Sequence, residues 1–197
     1  TAHNCLHEWG ELAEDETVLI HAAAGGVGSA AVQLADEAGA TVIGTASTPE
    51  KLSMAERLGL DHGIRYTEAD FVDRVVEITD GVDLVLDGVG GETTDESLDA
   101  LAPFGRMVSY GAASGAPGQP NTVDLLFGNK RVIGYHLGRA IGAVPDRVMG
   151  AIPKLTELLG SGTLEVQVGH SFELTDAAEA HRLIEERNSS GKVVLVP

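Results

Sequence analysis

Three glycines, Gly25, Gly26 and Gly28, fall within "HAAAGGVGSAAVQLA" (residues 21–35), between an apolar run and a helical pattern. Glycine lets a backbone come close to a phosphate, and a helix start offers free N–H groups and the positive end of the helix dipole. In the G-x-G-x-x-G turn the first glycine makes the tight bend, the second admits a pyrophosphate and the third lets the helix lie close on the strand. Here those places hold Ala23, Gly25 and Gly28. The amides near Gly26 and Val27 would then face an anion. Close helix-on-strand packing alone could also use these glycines, but a preceding strand and a following amphipathic helix are the context that a dinucleotide turn requires.

The choice between dinucleotides rests on the next strand. An NAD site calls for Asp or Glu about 20 residues beyond the glycines, where it bonds the ribose. The sequence reads "GTASTPEK" there, with Ser47 and Thr48 at the strand end and Lys51 in the helix that follows. With no carboxylate to repel it, a 2′-phosphate could be held by Ser47 and Lys51, which points to NADPH. A solvated helix lysine is the plainer reading of Lys51 taken alone.

These residues need elements to position them. Strand-length apolar runs occur at 17–23, 41–46, 62–66, 82–88, 105–111 and 131–137, alternating with helical patterns at 27–38, 49–59, 69–79, 91–102 and 122–129. In the first helix Val27, Ala30, Ala31, Leu34, Ala35 and Ala38 form one apolar stripe. Thr48 followed by Pro49 predicts a capped helix start. Near-continuous apolar strands joined by helices imply a parallel sheet covered on both faces. The predicted fold is α/β, a doubly wound six-stranded Rossmann sheet over residues 1–140. A C-terminal helix-strand appendage (141–197) follows: a helix over about 144–160, the strand "LEVQVGHSF", a helix capped by Thr175 or Asp176, and a last strand "KVVLVP".

Charge is the loudest compositional signal. The 197 residues hold 30 Asp and Glu against 13 Lys and Arg, a formal net charge of −17. Such a surface repels nucleic acid and anionic membranes, and no apolar stretch is long enough to span a bilayer. The acids are spread along the chain and only four of the basic residues are lysines. That pattern suits concentrated salt, where self-repulsion is screened within roughly 3 Å, although an ordinary acidic protein could show it too. A single cysteine, Cys5, cannot form an internal disulfide, which fits a reducing, cytoplasmic compartment. The chain opens on Thr1 with no methionine before Met54, as a piece of a longer protein would.

The segments "VLIHAAAGGVGSAAVQLA", "GTASTPEK", "IRYTEADF", "LVLDGVGG", "GRMVSYGAASG" and "HRLIEERNSSGKVVLVP" together resemble the quinone oxidoreductase (zeta-crystallin-like) branch of the medium-chain dehydrogenase/reductases. The resemblance runs over the whole chain. It implies a coenzyme-binding domain for NADPH whose partner, a catalytic domain of roughly a hundred-odd residues, precedes it in the family. It implies pyrophosphate contacts at Gly26 and Val27, 2′-phosphate contacts at Ser47, Lys51 and Arg187, and a tyrosine beside the adenosine phosphate at Tyr66. It also implies that Val89 lines the adenine side, that Ala113 to Ala116 approach the nicotinamide through their backbone, that Thr1 lies near that end, and, more weakly, that Arg139 contributes. Residues 141–197 would pack on the catalytic domain, and a homodimer is expected.

Hydride transfer from a nicotinamide is the cofactor's chemistry, so no acid–base pair is required on this domain. The expected reaction reduces a quinone or an activated C=C. Enoyl reductases and zinc-type alcohol dehydrogenases of the same superfamily are the nearest alternatives, and a non-catalytic dinucleotide-binding module is a third. His21 reads as a core histidine, and His62, His136, His170 and His181 lack metal-ligand spacing, so this stretch does not indicate zinc.

Overall fold

The computed structural model describes residues 1–197. A short π-helix (Asn4–Trp9) precedes β1 (Thr17–Ile20), α1 (Gly28–Glu37), β2 (Thr41–Ala46), α2 (Pro49–Glu56), β3 (His62–Arg65), α3 (Phe71–Ile78), β4 (Val82–Asp87), α4 (Glu92–Ala100), β5 (Leu101–Ser109), α5 (Thr122–Gly128) and β6 (Arg131–Gly134). The six strands are all parallel and lie in the order β3-β2-β1-β4-β5-β6. This is the doubly wound order, whose direction of winding reverses between β1 and β4. Both faces are covered. Val18 and Ile20 of β1 pack with Val32, Leu34, Leu84 and Leu86, while Leu19 between them packs on the other face with Ile43, Val75, Val85 and Met107. That is why these strands read as unbroken apolar runs rather than alternating ones.

The predicted strands and helices fall on the observed ones, with shifts at their ends. The helix expected at 91–102 stops at Ala100, and β5 begins at once at Leu101, passing through Phe104 at φ +67° before it settles into register beside β4. The strand expected at 131–137 ends at Gly134, because the His136 side chain caps a further helix, α6 (Leu137–Ala143), by accepting from the Arg139 amide at 3.2 Å. The single helix expected over 144–160 is two, α7 (Pro145–Met149) and α8 (Ile152–Ser161). Each has a proline in its first turn, Pro145 and Pro153, where the missing N–H costs no helical hydrogen bond.

The appendage ends in β7 (Val168–Glu173), a 3-10 turn (Leu174–Asp176), α9 (Ala177–Glu185) and β8 (Lys192–Val196). β7 and β8 form a parallel pair of their own. The expected cap by Thr175 or Asp176 is absent. The chain enters α9 directly from the 3-10 turn, with Asp176 at φ −98° and ψ 16° rather than the extended geometry of a capping residue.

Candidate functional site

β1 leads into the glycine turn, and packing fixes the turn's shape. Gly28 opens α1 against the end of β1: a Cβ there would lie 2.2 Å from the carbonyl oxygen of Ala22. The missing first glycine has a local explanation. Ala23 is fully buried, and its methyl group would sit only 2.7 Å from a Cβ on Gly44 of β2. Gly44 of β2 thus leaves room for the Ala23 methyl group. The left-handed conformation falls one residue earlier, on Ala22 at φ +52°, where a side chain is tolerated at some cost. The amides of Val27 and Gly28 find no acceptor in the chain, whereas the Ser29 amide bonds Gly25. Unused N–H groups at a helix start are what an anion needs.

A cleft of about 960 Å³ opens beside this turn, at the carboxyl ends of β1, β2 and β4. The structure brings Gly25, Ser47, Lys51, Tyr66, Val89, Ala113 and Arg187 together on its walls. Gly26, Val27 and Gly28 are not among the lining residues. Gly26 instead faces Lys192 and Gly191, and Gly28 is occupied with helix packing. Arg139 lies elsewhere. It lines a separate hollow of about 680 Å³ at the ends of β5 and β6, with Trp9, Tyr110, Tyr135 and His136. Ala112 lines this hollow and Ala113 the cleft, so the two lie on either side of the loop after β5.

Lys51 is held in place. Thr48 Oγ1 caps α2 by accepting from the Lys51 amide at 3.3 Å, Pro49 fills the first helical position, and Lys51 Nζ donates to the Arg187 carbonyl at 2.6 Å. Partial burial lowers its pKa from the ordinary lysine value. Glu68, Asp70, Glu96 and Glu185 also line the cleft. The pKa of Glu96 is raised, first by burial and then by Asp70, Glu92, Asp99 and Asp95.

Two buried residues set the floor. Asp87, ending β4 with no exposure, accepts from the amides of Val89 (2.8 Å) and Gly90 (3.2 Å) and from Thr94 Oγ1 (2.5 Å), which fixes the turn that presents Val89. His21 bonds Thr45 Oγ1 (3.1 Å) and Ser97 Oγ (2.8 Å) and stands edge-on to Phe71. Burial pulls its pKa down to about 4, against a smaller opposing pull from Asp87. It is a neutral, satisfied core histidine that also lines the cleft. Thr93, Glu96 and Ser189 at the cleft, and Asp87 beneath it, escape a motif reading. Only "LVLDGVGG", a polar residue closing an apolar strand, hinted at Asp87.

Comparison with known proteins accords with this geometry. Residues 26–157 match the family described as zinc-binding dehydrogenase. A quinone oxidoreductase from Pseudomonas aeruginosa is 36% identical over 203 residues, covering 100% of this chain and 61% of that protein. A 2-haloacrylate reductase from a Burkholderia species is 37% identical, with 100% and 60% covered. The structure of Escherichia coli quinone oxidoreductase complexed with NADPH superposes with a TM-score of 0.91 at 37% identity, covering 100% of this chain and 61% of that one. The chain thus spans about three-fifths of the length of these relatives. With its parallel six-stranded sheet, its glycine turn and these matches, the chain belongs to the zinc-binding dehydrogenase family, within the medium-chain dehydrogenase/reductases.

Proposed function

We propose that this chain is the NADPH-binding domain of an oxidoreductase that passes a hydride to a quinone or an activated C=C. The observation that carries the reading is the end of β2. Ser47 stands where an NAD site would have a carboxylate, Lys51 follows it, and the tail brings Arg187 to the same wall. The residues present fit the cofactor: free amides start α1 for a pyrophosphate, two cations suit a 2′-phosphate, and the cleft is of dinucleotide size. When bound, the nicotinamide supplies the hydride. The chain's own part is to seat the phosphates, hold the Val89 turn through Asp87, and keep His21 uncharged beneath the cleft. The NADPH-complexed E. coli enzyme and the reductases among the relatives support this reading. The family's name implies zinc, but no group of three His, Cys, Asp or Glu side chains is arranged to hold a metal, and burial pushes the Cys5 thiol up to about 12.

Residues 141–197 serve in this reading as the surface for a catalytic partner domain. Exposed Val166, Val168, Leu174, Leu195 and Val196 on the appendage support that role. The edge position of β6 and the outward Leu126 and Phe127 of α5 support a homodimer. No helix is long and apolar enough to cross a membrane. A cytoplasmic setting is supported by the single, buried cysteine, and adaptation to concentrated salt by the net charge of −17 with only four lysines. In that case NADPH affinity rises with salt as the carboxylates are screened, then falls when the cation contacts are screened too. A calorimetric series that weakens monotonically from dilute to molar salt would contradict the salt-adapted reading. The reaction is tested by following NADPH oxidation in the full-length protein with a quinone and with an enone as acceptors. Turnover with either supports the proposal, and turnover with neither overturns it.

A further inference from the structure

The segment 187–192 runs from the cleft wall at Arg187 to the glycine turn, which Lys192 reaches. Arg187, at φ +57°, turns the chain out of α9, and its carbonyl receives Lys51 Nζ at 2.6 Å. Four residues on, the Gly191 amide donates to the Ala24 carbonyl at 2.7 Å, and Gly25 and Gly191 pair as an isolated parallel bridge. The Lys192 amide donates to Gln167 at 2.7 Å, which locks the segment's end to the strand region before β7. Gly191 has to be glycine here: its φ is +60°, and a Cβ would meet the Gln167 carbonyl at 2.5 Å. The result is a strap tied to α2 at one end and to the glycine turn at the other.

Lys192 is the cation that this strap delivers to the turn. Its Nζ donates to the Gly26 carbonyl at 3.2 Å, an oxygen that no backbone amide in the chain uses. Its Cγ and Nζ lie 3.5 and 3.6 Å from where a Cβ on Gly26 would stand, so the absence of a side chain there makes room for the lysine. An ammonium has three donors, and Gly26 takes one. Lys192 is exposed, and the carbonyl it holds directly precedes the unused amides of Val27 and Gly28 in the chain.

We propose that Lys192 is a cofactor-contacting cation for the pyrophosphate, and that the strap sets its separation from Lys51, so that one segment matches the spacing between the pyrophosphate and the 2′-phosphate. This rests on the NADPH reading and extends it to a residue that the glycine motif does not contain. In a chain of net charge −17, a bound dinucleotide needs a cation near each cluster of its phosphates.

The test uses three ligands with the wild-type chain and its variants: NADPH, NADH, and 2′-AMP, which carries the 2′-phosphate without a pyrophosphate. Binding is measured by calorimetry, with thermal melts to verify folding. Lys192→Gln should weaken NADPH and NADH by the same factor, about tenfold, and leave 2′-AMP unchanged. Lys51→Ala should weaken NADPH and 2′-AMP and spare NADH. Lys192→Arg should restore most of the dinucleotide affinity. If Lys192→Gln leaves both dinucleotides untouched, the assignment is wrong. If it weakens all three ligands alike, Lys192 merely anchors the strap and the assignment is again wrong. If the wild-type chain binds none of the three, the NADPH reading itself falls, and this inference falls with it.

Discussion

The cleft has two walls built on different principles. The inner wall, at the ends of β1 and β4, is close-packed. Gly28 touches Ala22, Ala23 nests against Gly44, and Asp87 and His21 are buried with their hydrogen bonds satisfied. The outer wall, from the ends of β2 and β3, α2 and the tail, is made of side chains at the surface: Lys51 and Ser47 half-buried, Tyr66 and Arg187 exposed. Shape therefore comes from the core and charge from the periphery. Inner-wall substitutions should cost stability and binding together, whereas outer-wall substitutions should change cofactor choice and leave the fold alone.

The largest effect that separates the walls is expected at Gly28. Gly28→Ala forces a Cβ to 2.2 Å from a backbone carbonyl, so the turn must distort. Urea unfolding should show a loss of about 3 kcal/mol or more, with cofactor binding lost as well. Next comes His21. Its folded pKa of about 4 lies below the 6.5 of an unperturbed histidine. Between those values the unfolded chain takes up a proton that the buried imidazole refuses. Its contribution is therefore fully present above pH 6.5 and is lost as pH falls toward 4, amounting to about 3 kcal/mol. Unfolding curves across that range should be steeper in pH for the wild type than for His21→Asn. If the two slopes match, the inner wall is not dry at that point.

The outer wall gives smaller effects of another kind. Lys51→Ala should weaken NADPH about tenfold and leave NADH and the melting temperature nearly unchanged, since the side chain's one hydrogen bond is to a surface carbonyl. Equal losses for both cofactors would remove the 2′-phosphate assignment. The smallest effect is expected at Arg139, whose hollow is separate from the cleft. Arg139→Ala should leave the ratio of NADPH to NADH affinity within about twofold of wild type. A larger change would place Arg139 at the cofactor site.

How much of this was legible before the fold was seen follows the same division. Strand and helix positions in the sheet were readable because burial on both faces writes continuous apolar runs, and because Thr48-Pro49 announces α2. The tail was harder. Its strands are largely exposed, and its helices break at Pro145 and Pro153, whose role as first-turn residues a longer helical pattern conceals. At the site, the glycine motif located the turn but not the distant residues packed around it. Ala23 stands in for a glycine because of Gly44, 21 positions away in the sequence, and Gly26 faces Lys192, which only the tail's return brings near. Arg139 lines a second hollow because α6 starts early, capped by His136, and sets the arginine at the ends of β5 and β6. Contacts between residues distant in sequence were what a motif could not supply.

The most direct measurement is a calorimetric comparison of NADPH and NADH binding to the wild-type chain in the same buffer and salt. The expected result is that NADPH binds at least about tenfold more tightly, because Ser47, Lys51 and Arg187 have a phosphate to hold and no carboxylate at the end of β2 favours a bare ribose. Equal affinities, or tighter binding of NADH, would contradict the account.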